Sequence, residues 1–224
     1  MKAVNELLKN TRFNSHDKDY LFMLSIRKIA DDVMLREMKN GKEIRTIAII
    51  SPFSHDGKSE ISDHLSYEFA GMGCKTLLLC LQKAQEAGCD LEEPIQPDEL
   101  PEYDIANTGI KNLDYLCLES LKKSNGFTSS RNTLSSLLGQ LKNRYKRIII
   151  DTASLDGDVS GFIAASAADG AYFICSRRNM RKGQLEKYYE CLKDVGANIL
   201  GIIYNNAERK TVKKMYIQNG EKYA

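Results

Sequence analysis

The strongest constraint in this chain is a repeated alternation of short, almost wholly apolar runs with longer stretches of helical periodicity. The runs fall at 46–50 (TIAII), 76–81 (TLLLCL), 113–118 (LDYLCL), 148–150 (III), 171–175 (AYFIC) and 199–204 (ILGIIY). They are nearly continuous in apolar residues rather than apolar at every second position, which predicts strands covered on both faces. Helices are predicted over 59–71, 129–143, 159–168 and 181–195. The second has leucines at 134, 137, 138 and 141, one helical stripe, and the last stops at Gly196 as a C-cap would. This alternation predicts an α/β fold, a doubly wound and mostly parallel sheet flanked by helices. An amphipathic helix is also expected over 20–39, closed by Asn40-Gly41.

Composition excludes several classes. A length of 224 residues suits one α/β domain, large enough to fold without staples. The net charge of +2 argues against a dedicated nucleic-acid binder. No apolar stretch approaches the roughly 18 residues of a membrane span, and the N-terminal segment has no secretory h-region. The six cysteines (74, 80, 89, 117, 175, 191) form no C-x-x-C pair and His is scarce, so a zinc site is not expected. The chain reads as a reduced, cytoplasmic protein. Cys80, Cys117 and Cys175 lie in apolar runs, where a thiol behaves as a small hydrophobe. Segment 90–104 holds three of the four prolines and a dense acidic run, and is expected to be an exposed loop.

The sharpest motif is IAIISPFSHDGKSE at 47–60: a buried strand, a turn ending Gly57-Lys58-Ser59, then a helix. This is P-loop context, with the helix N-terminus facing a phosphate. Gly57 lets backbone amides approach, Lys58 places a cation between the outer phosphates, and Ser59 offers a hydroxyl to Mg²⁺. A Gly-Lys-Ser tripeptide alone is as often an ordinary strand–helix turn; the strand and helix around it favour the phosphate reading. Pro52 stands where the consensus begins with Gly, and Asp56 and Glu60 add negative charge nearby. A second motif, YKRIIIDT at 145–152, ends a hydrophobic strand on Asp151, the Walker B pattern, in which the carboxylate helps to hold Mg²⁺. A strand-end Asp in isolation more often caps the next segment.

From about Arg45 to Asn206 the chain resembles the cytoplasmic bacterial tyrosine kinases (BY-kinases, CpsD/CapB-like), P-loop proteins related to MinD/ParA ATPases. The resemblance is carried by RTIAIISPFSHDGKSE, by A-x-x-G-x-K-T-L-L within ISDHLSYEFAGMGCKTLLLC, and by IIIDT, AADG and VGANILGIIYNN in the family's order. It implies an ATP and Mg²⁺ site, with Lys58 and Asp151 as catalytic residues. Gly57, Lys58, Ser59 and Asn205 would bind the nucleotide, and Ser59 and Asp151 the metal. Asn205 corresponds to an Asn that reads adenine in relatives, and is equally readable as a strand-end turn residue. The resemblance further implies tyrosine autophosphorylation in trans and a membrane adaptor of a polysaccharide export system. Self-association, a peripheral position at the inner face of the cell membrane through a partner, and no nucleic-acid partner complete it. The corresponding organisation is a helical arm over 1–44, a P-loop NTPase/kinase-like domain over 45–206, and a basic tail over 207–224 carrying Tyr216 and Tyr223 as candidate phosphoacceptors.

The chain departs from the family where the metal should be held. Family members end the second strand on a D-x-D pair, the Walker A′ motif; here Cys80 and Gln82 stand at those positions. Losing two carboxylates from a Mg²⁺–phosphate site should remove several kcal/mol of metal and transition-state stabilisation. Asp56 or Glu60 would have to replace them. The family's E-x-x-R-x-x-R, which builds a ring of subunits, has no match around Arg27 and Lys28. Arg177-Arg178 read as a solvated loop and Tyr188-Tyr189 as packing. The expected function is therefore a regulator of the bacterial tyrosine kinase type with weakened or lost activity. An active autokinase and a MinD/ParA-like positioning ATPase are the alternatives. The stretch PFSHD lacks the signature lysine of the latter class.

Overall fold

The protein, seen in a computed structural model, is described over residues 18–81, 105–118, 131–156, 158–176 and 183–205. In chain order the elements are α1 (Lys18–Asn40), β1 (Thr46–Ile50), α2 (Lys58–Gly71), β2 (Thr76–Cys80), β3 (Ala106–Asn107), β4 (Leu113–Cys117), α3 (Arg131–Lys142), β5 (Arg147–Asp151), α4 (Ser160–Ala167), β6 (Gly170–Ser176), α5 (Gln184–Asp194) and β7 (Ile199–Asn205). They form one seven-stranded sheet in the order β3-β4-β2-β5-β1-β6-β7. Every pairing is parallel except β3 against β4, so the mostly parallel α/β fold read from the sequence is the observed one. β3 escaped the sequence reading because two residues are too short to show a period. Gln82, Cys89, segment 90–104, Arg177-Arg178 and the tail with Tyr216 and Tyr223 lie outside the described residues.

The sheet is covered on both faces, which explains the unbroken apolar runs. Ala48 and Ile50 of β1 face one core, with the four leucines of α3, Ala164 and Ala165 of α4 and Leu192 of α5. Ile47 and Ile49 face the other, with Ile26, Ala30 and Val33 of α1 and Ile61, Leu65 and Phe69 of α2. β1 and β5 are parallel neighbours, and the helices that follow them, α2 and α4, leave onto opposite faces. That divergence opens a crevice at the carboxyl ends of the two strands, the usual place for a ligand in an open α/β sheet.

At the opposite end of the sheet, Asp169 fastens the start of β1. Its carboxylate accepts the Arg45 and Thr46 amides, each at 2.9 Å, and the Thr46 hydroxyl at 3.0 Å, and pairs with Lys142 at 2.8 Å. Burial works to raise its pKa, but Lys142 and Thr46 outweigh it and hold the carboxyl below the ordinary range. The AADG motif thus has a structural cause. After Asp169 comes Gly170, where a Cβ would meet Leu200 at 2.6 Å.

α1 is fixed by a second anchor. Arg147, 3% exposed, forks onto Glu37 at 2.6 and 2.7 Å, and the Glu37 carboxylate also accepts the Ile44 amide. α1 differs from the simple amphipathic helix expected: it is apolar on its buried face and again on its outer face, where Leu21, Leu24, Leu35 and Met38 are exposed.

Asp169→Ala should lower the unfolding free energy by about 2–4 kcal/mol, read by urea denaturation, because it orphans two buried amides and an ammonium. Since the folded pKa of Asp169 is depressed, its contribution is present above the unfolded carboxylate pKa and is lost as pH falls through the folded value.

Candidate functional site

The loop between β1 and α2 is held from both sides. On the β5 side, the Ser51 and Pro52 carbonyls accept the Leu155 and Asp156 amides at 3.0 and 2.9 Å. Pro52, which has no N–H to offer a phosphate, thus serves through its carbonyl. On the β6–β7 side, the Ser176 hydroxyl donates to the Asp56 carboxylate at 2.6 Å, and Asn205 Nδ2 donates to the Asp56 carbonyl at 2.9 Å. Two left-handed residues, His55 (φ 64°) and Gly57 (φ 93°), curl the crest. Gly57 is needed for space as well: a Cβ there would come within 2.1 Å of Asn205 Nδ2. α2 starts directly afterwards at Lys58, with no side chain capping its N-terminus. An uncapped helix end at a strand's carboxyl edge is a ready anion site.

Lys58 is folded into this loop, 6% exposed, donating to Ser51 Oγ at 3.0 Å and the Phe53 carbonyl at 3.3 Å. Burial pushes its pKa down, and the carboxylates of Asp151 and Asp56 pull it partly back. Asp56 is 1% exposed and accepts the Phe53 amide at 3.3 Å as well as the Ser176 hydroxyl. It is an internal brace of the loop, and its carboxylate is turned inward. Ser59 and Glu60 are exposed on the first turn of α2.

The pairing register places the remaining groups. In one row across the sheet stand Cys117 of β4, Cys80 of β2 and Asp151 of β5, each directly beside the next. Residues in register on parallel strands share a face, and this face is the one that α2 covers. Cys80 therefore flanks Asp151. Cys80 and Cys117 are only half-buried, unlike Cys175, so two of the three cysteines read as plain hydrophobes sit at the site's edge. Tyr115, two residues before Cys117, shares its strand face and lies near both thiols. Burial first, and then the two sulfurs, push its pKa far above the usual range.

Sequence reasoning missed one carboxylate. Asp63 lies one helical turn past Ser59, and its pKa is raised to about 7, by burial first and then by Asp151 and Glu60. The i, i+4 spacing from Ser59 was the available signal. Of the other residues singled out, Tyr188 packs edge-on against Phe53 of the loop, ring centroids 6.1 Å apart, consistent with a packing role. Arg27 is paired with Glu68 at 2.7 Å.

The residues present fit the phosphates of a Mg²⁺ nucleotide: an uncapped helix end, a left-handed glycine, a buried cation and a strand-end carboxylate meet at one crevice. Among the described residues, no three His, Cys, Asp or Glu side chains converge to hold a metal alone. A Mg²⁺ ion would then draw on phosphate oxygens, as it ordinarily does.

No established family profile matches the chain. It is 22% identical over 179 residues to the tyrosine-protein kinase CpsD of Streptococcus pneumoniae serotype 4, covering 75% of this chain and 79% of that protein. Among solved structures, the chimerical protein CapA2B2 superposes with a TM-score of 0.66 at 21% identity, covering 92% of this chain and 91% of the other. The septum site-determining protein MinD of Pyrococcus horikoshii, solved with Mg-ADP, gives 0.57 at 21% identity, covering 78% and 76%. These two likenesses establish the fold.

Asp63 generates a pH prediction. Its folded pKa, about 7, lies above its unfolded value of 3.8, so the folded chain binds the extra proton and stability falls as pH rises from about 4 to 7. Asp63→Asn should remove that decline. Without nucleotide, the variant should be more stable than the parent by about 1–3 kcal/mol at pH 8 and equal to it near pH 4, read by thermal melts across pH.

Proposed function

We propose that the chain is a P-loop protein of the bacterial tyrosine kinase type, a reading its likeness to CpsD and CapA2B2 supports, and that it binds Mg²⁺·ATP at the β1–α2 loop with weakened or lost kinase activity. In this reading it works in the cytoplasm as a regulator of capsular or exopolysaccharide biosynthesis and export, held at the inner face of the membrane by an adaptor. No described helix is long and apolar enough to cross a membrane.

Bound there, Mg²⁺·ATP supplies the transferable phosphoryl group and the charge that polarises it. Gly57 lets the loop backbone close on the phosphates. Lys58 exchanges its bonds to Ser51 and Phe53 for phosphate oxygens, which relieves an ammonium now held by one hydroxyl and one carbonyl. The Ser59 hydroxyl and the Asp151 carboxylate would hold the metal. Asn205, which donates to the Asp56 carbonyl at the edge of the loop, would read the base.

One observation carries the claim of weakened activity: Cys80 stands in register beside Asp151, at the position where the family resemblance leads one to expect an aspartate. A thiol is mostly neutral at pH 7 and is a soft ligand, poorly matched to Mg²⁺ and a poor base for a tyrosine hydroxyl. Asp56 cannot replace the missing charge, because its carboxylate is already spent on Ser176 and Phe53. A second reading, an active autokinase, is favoured by Asp63, whose charge is felt alongside that of Asp151.

Purified protein incubated with Mg²⁺·ATP should show phosphotyrosine labelling no greater than its Lys58→Met variant. Strong Lys58-dependent labelling would instead establish the autokinase, and its loss in Asp63→Asn would assign the replacement carboxylate. Cys80→Asp combined with Gln82→Asp should raise Mg²⁺-dependent nucleotide affinity by about tenfold or more in calorimetry, since a restored hard anion is worth more than 1 kcal/mol to such a site. An unchanged affinity would mean that the loop around Pro52 and His55 limits binding.

A further inference from the structure

The pairing of β2 with β4 sets Cys80 directly beside Cys117, each the last residue of its strand. Neighbouring strands lie roughly 4.8 Å apart, inside the roughly 4.4–6.8 Å that a disulfide spans between Cα atoms. Residues in register on parallel strands send their side chains to the same face, so the two Cβ vectors run side by side and not apart. Tyr115, on that face, lies near both thiols, so the two sulfurs converge on one side chain. Among the described residues, no other two cysteines stand in register on neighbouring strands.

Exposure separates this pair from a core thiol. Cys80 and Cys117 are half-buried and neither is in a disulfide, whereas Cys175 is buried in the core on the other face of the sheet. A small oxidant can therefore reach both sulfurs of the pair. The two Cβ atoms must close to about 3.8 Å for an S–S bond. A position at the end of each strand allows that shift without disturbing the pairs of Thr76–Leu79 with Leu113–Leu116. Metal binding is a poorer use of the pair. Among the described residues no third His, Cys, Asp or Glu joins them to hold an ion, and a disulfide needs only two sulfurs.

We propose that Cys80 and Cys117 form a redox-sensitive modification site, a dithiol that hydrogen peroxide converts to a disulfide joining β2 to β4 and that a thiol reductant reopens. In the first step one thiol takes an oxygen atom from the peroxide, becomes a sulfenic acid and releases water. The second thiol then attacks that sulfur. The S–S bond forms, the S–O bond breaks, and the hydroxyl leaves as water with the second thiol's proton. The two sulfurs together lose the two electrons that the peroxide gains. In a reducing compartment the pair stays open until oxidant appears. One end of the linkage is Cys80, the neighbour of Asp151, so oxidant is registered at the edge of the crevice. The inference does not depend on nucleotide binding.

The full chain, reduced and then freed of reductant in a chelator-containing buffer, should lose two of its six thiols when treated with about a tenfold excess of hydrogen peroxide. Dithiothreitol should return both. Proteolysis and mass spectrometry of the alkylated product should find one linked pair of peptides, Cys80 with Cys117. Cys80→Ser and Cys117→Ser should each abolish the linkage with unchanged circular dichroism, and Cys191→Ser should leave it as in the parent. The peptide map of the parent decides the matter even where a serine variant misfolds. Thiol loss that dithiothreitol does not reverse, a linkage of either cysteine to Cys89 or to a second chain, or no linkage at all would each overturn the proposal.

Discussion

A buried ammonium organises the crevice at the carboxyl ends of β1 and β5. Lys58 sits where almost no water reaches it, and a cation in that position must be met by oxygen atoms or lose its charge. The loop supplies them: Ser51 Oγ, the Phe53 carbonyl, and the fields of Asp151 and Asp56. Those demands explain the neighbouring choices. Asp56 is buried to balance charge and is tied to Ser176, and Asn205 lies so close that only glycine fits at position 57. The loop is preformed because the segment after β5 gives it two bonds and the ends of β6 and β7 one each.

In the proposed reading, the same crevice separates binding from catalysis. The groups that would grip phosphates arise from the β1–α2 turn, whose geometry the buried lysine and the braces from beyond β5 and from the ends of β6 and β7 maintain. The groups that would set the metal's charge stand at the ends of β2 and β5, in register with each other. Replacing a carboxylate by a thiol at the end of β2 leaves the sheet register and both cores untouched. The substitution changes chemistry without changing fold, which is why such a chain keeps its relatives' architecture.

At the other end of the sheet the forces are structural. Asp169 gathers the first amides of β1 and the Lys142 ammonium, and Arg147 locks α1 through Glu37. Rigid attachment of α1 keeps its outer apolar residues, Leu21, Leu24, Leu35 and Met38, in solvent.

Much of this was legible along the chain, and the physical reason differs by element. The strands Thr46–Ile50 and Gly170–Ser176 show through because a strand buried on both faces must be apolar at nearly every residue, whatever its neighbours are. The β1–α2 loop shows through because Gly, Lys and Ser have roles that few other residues fill. By itself the sequence determined the α/β alternation, the P-loop position and the thiol at the end of the second strand. Only the tertiary structure decided that Cys80 flanks Asp151, with Cys117 beside it, instead of filling a core, that Asp56 braces the loop from within, and that Asp63 shares the field of Asp151. It also decided which of α1's two apolar stripes is buried. Each of these depends on register between strands distant in the chain, or on the roll of a helix over a sheet. Residue type and spacing encode neither directly, because they record which faces are apolar and not which partner each face meets.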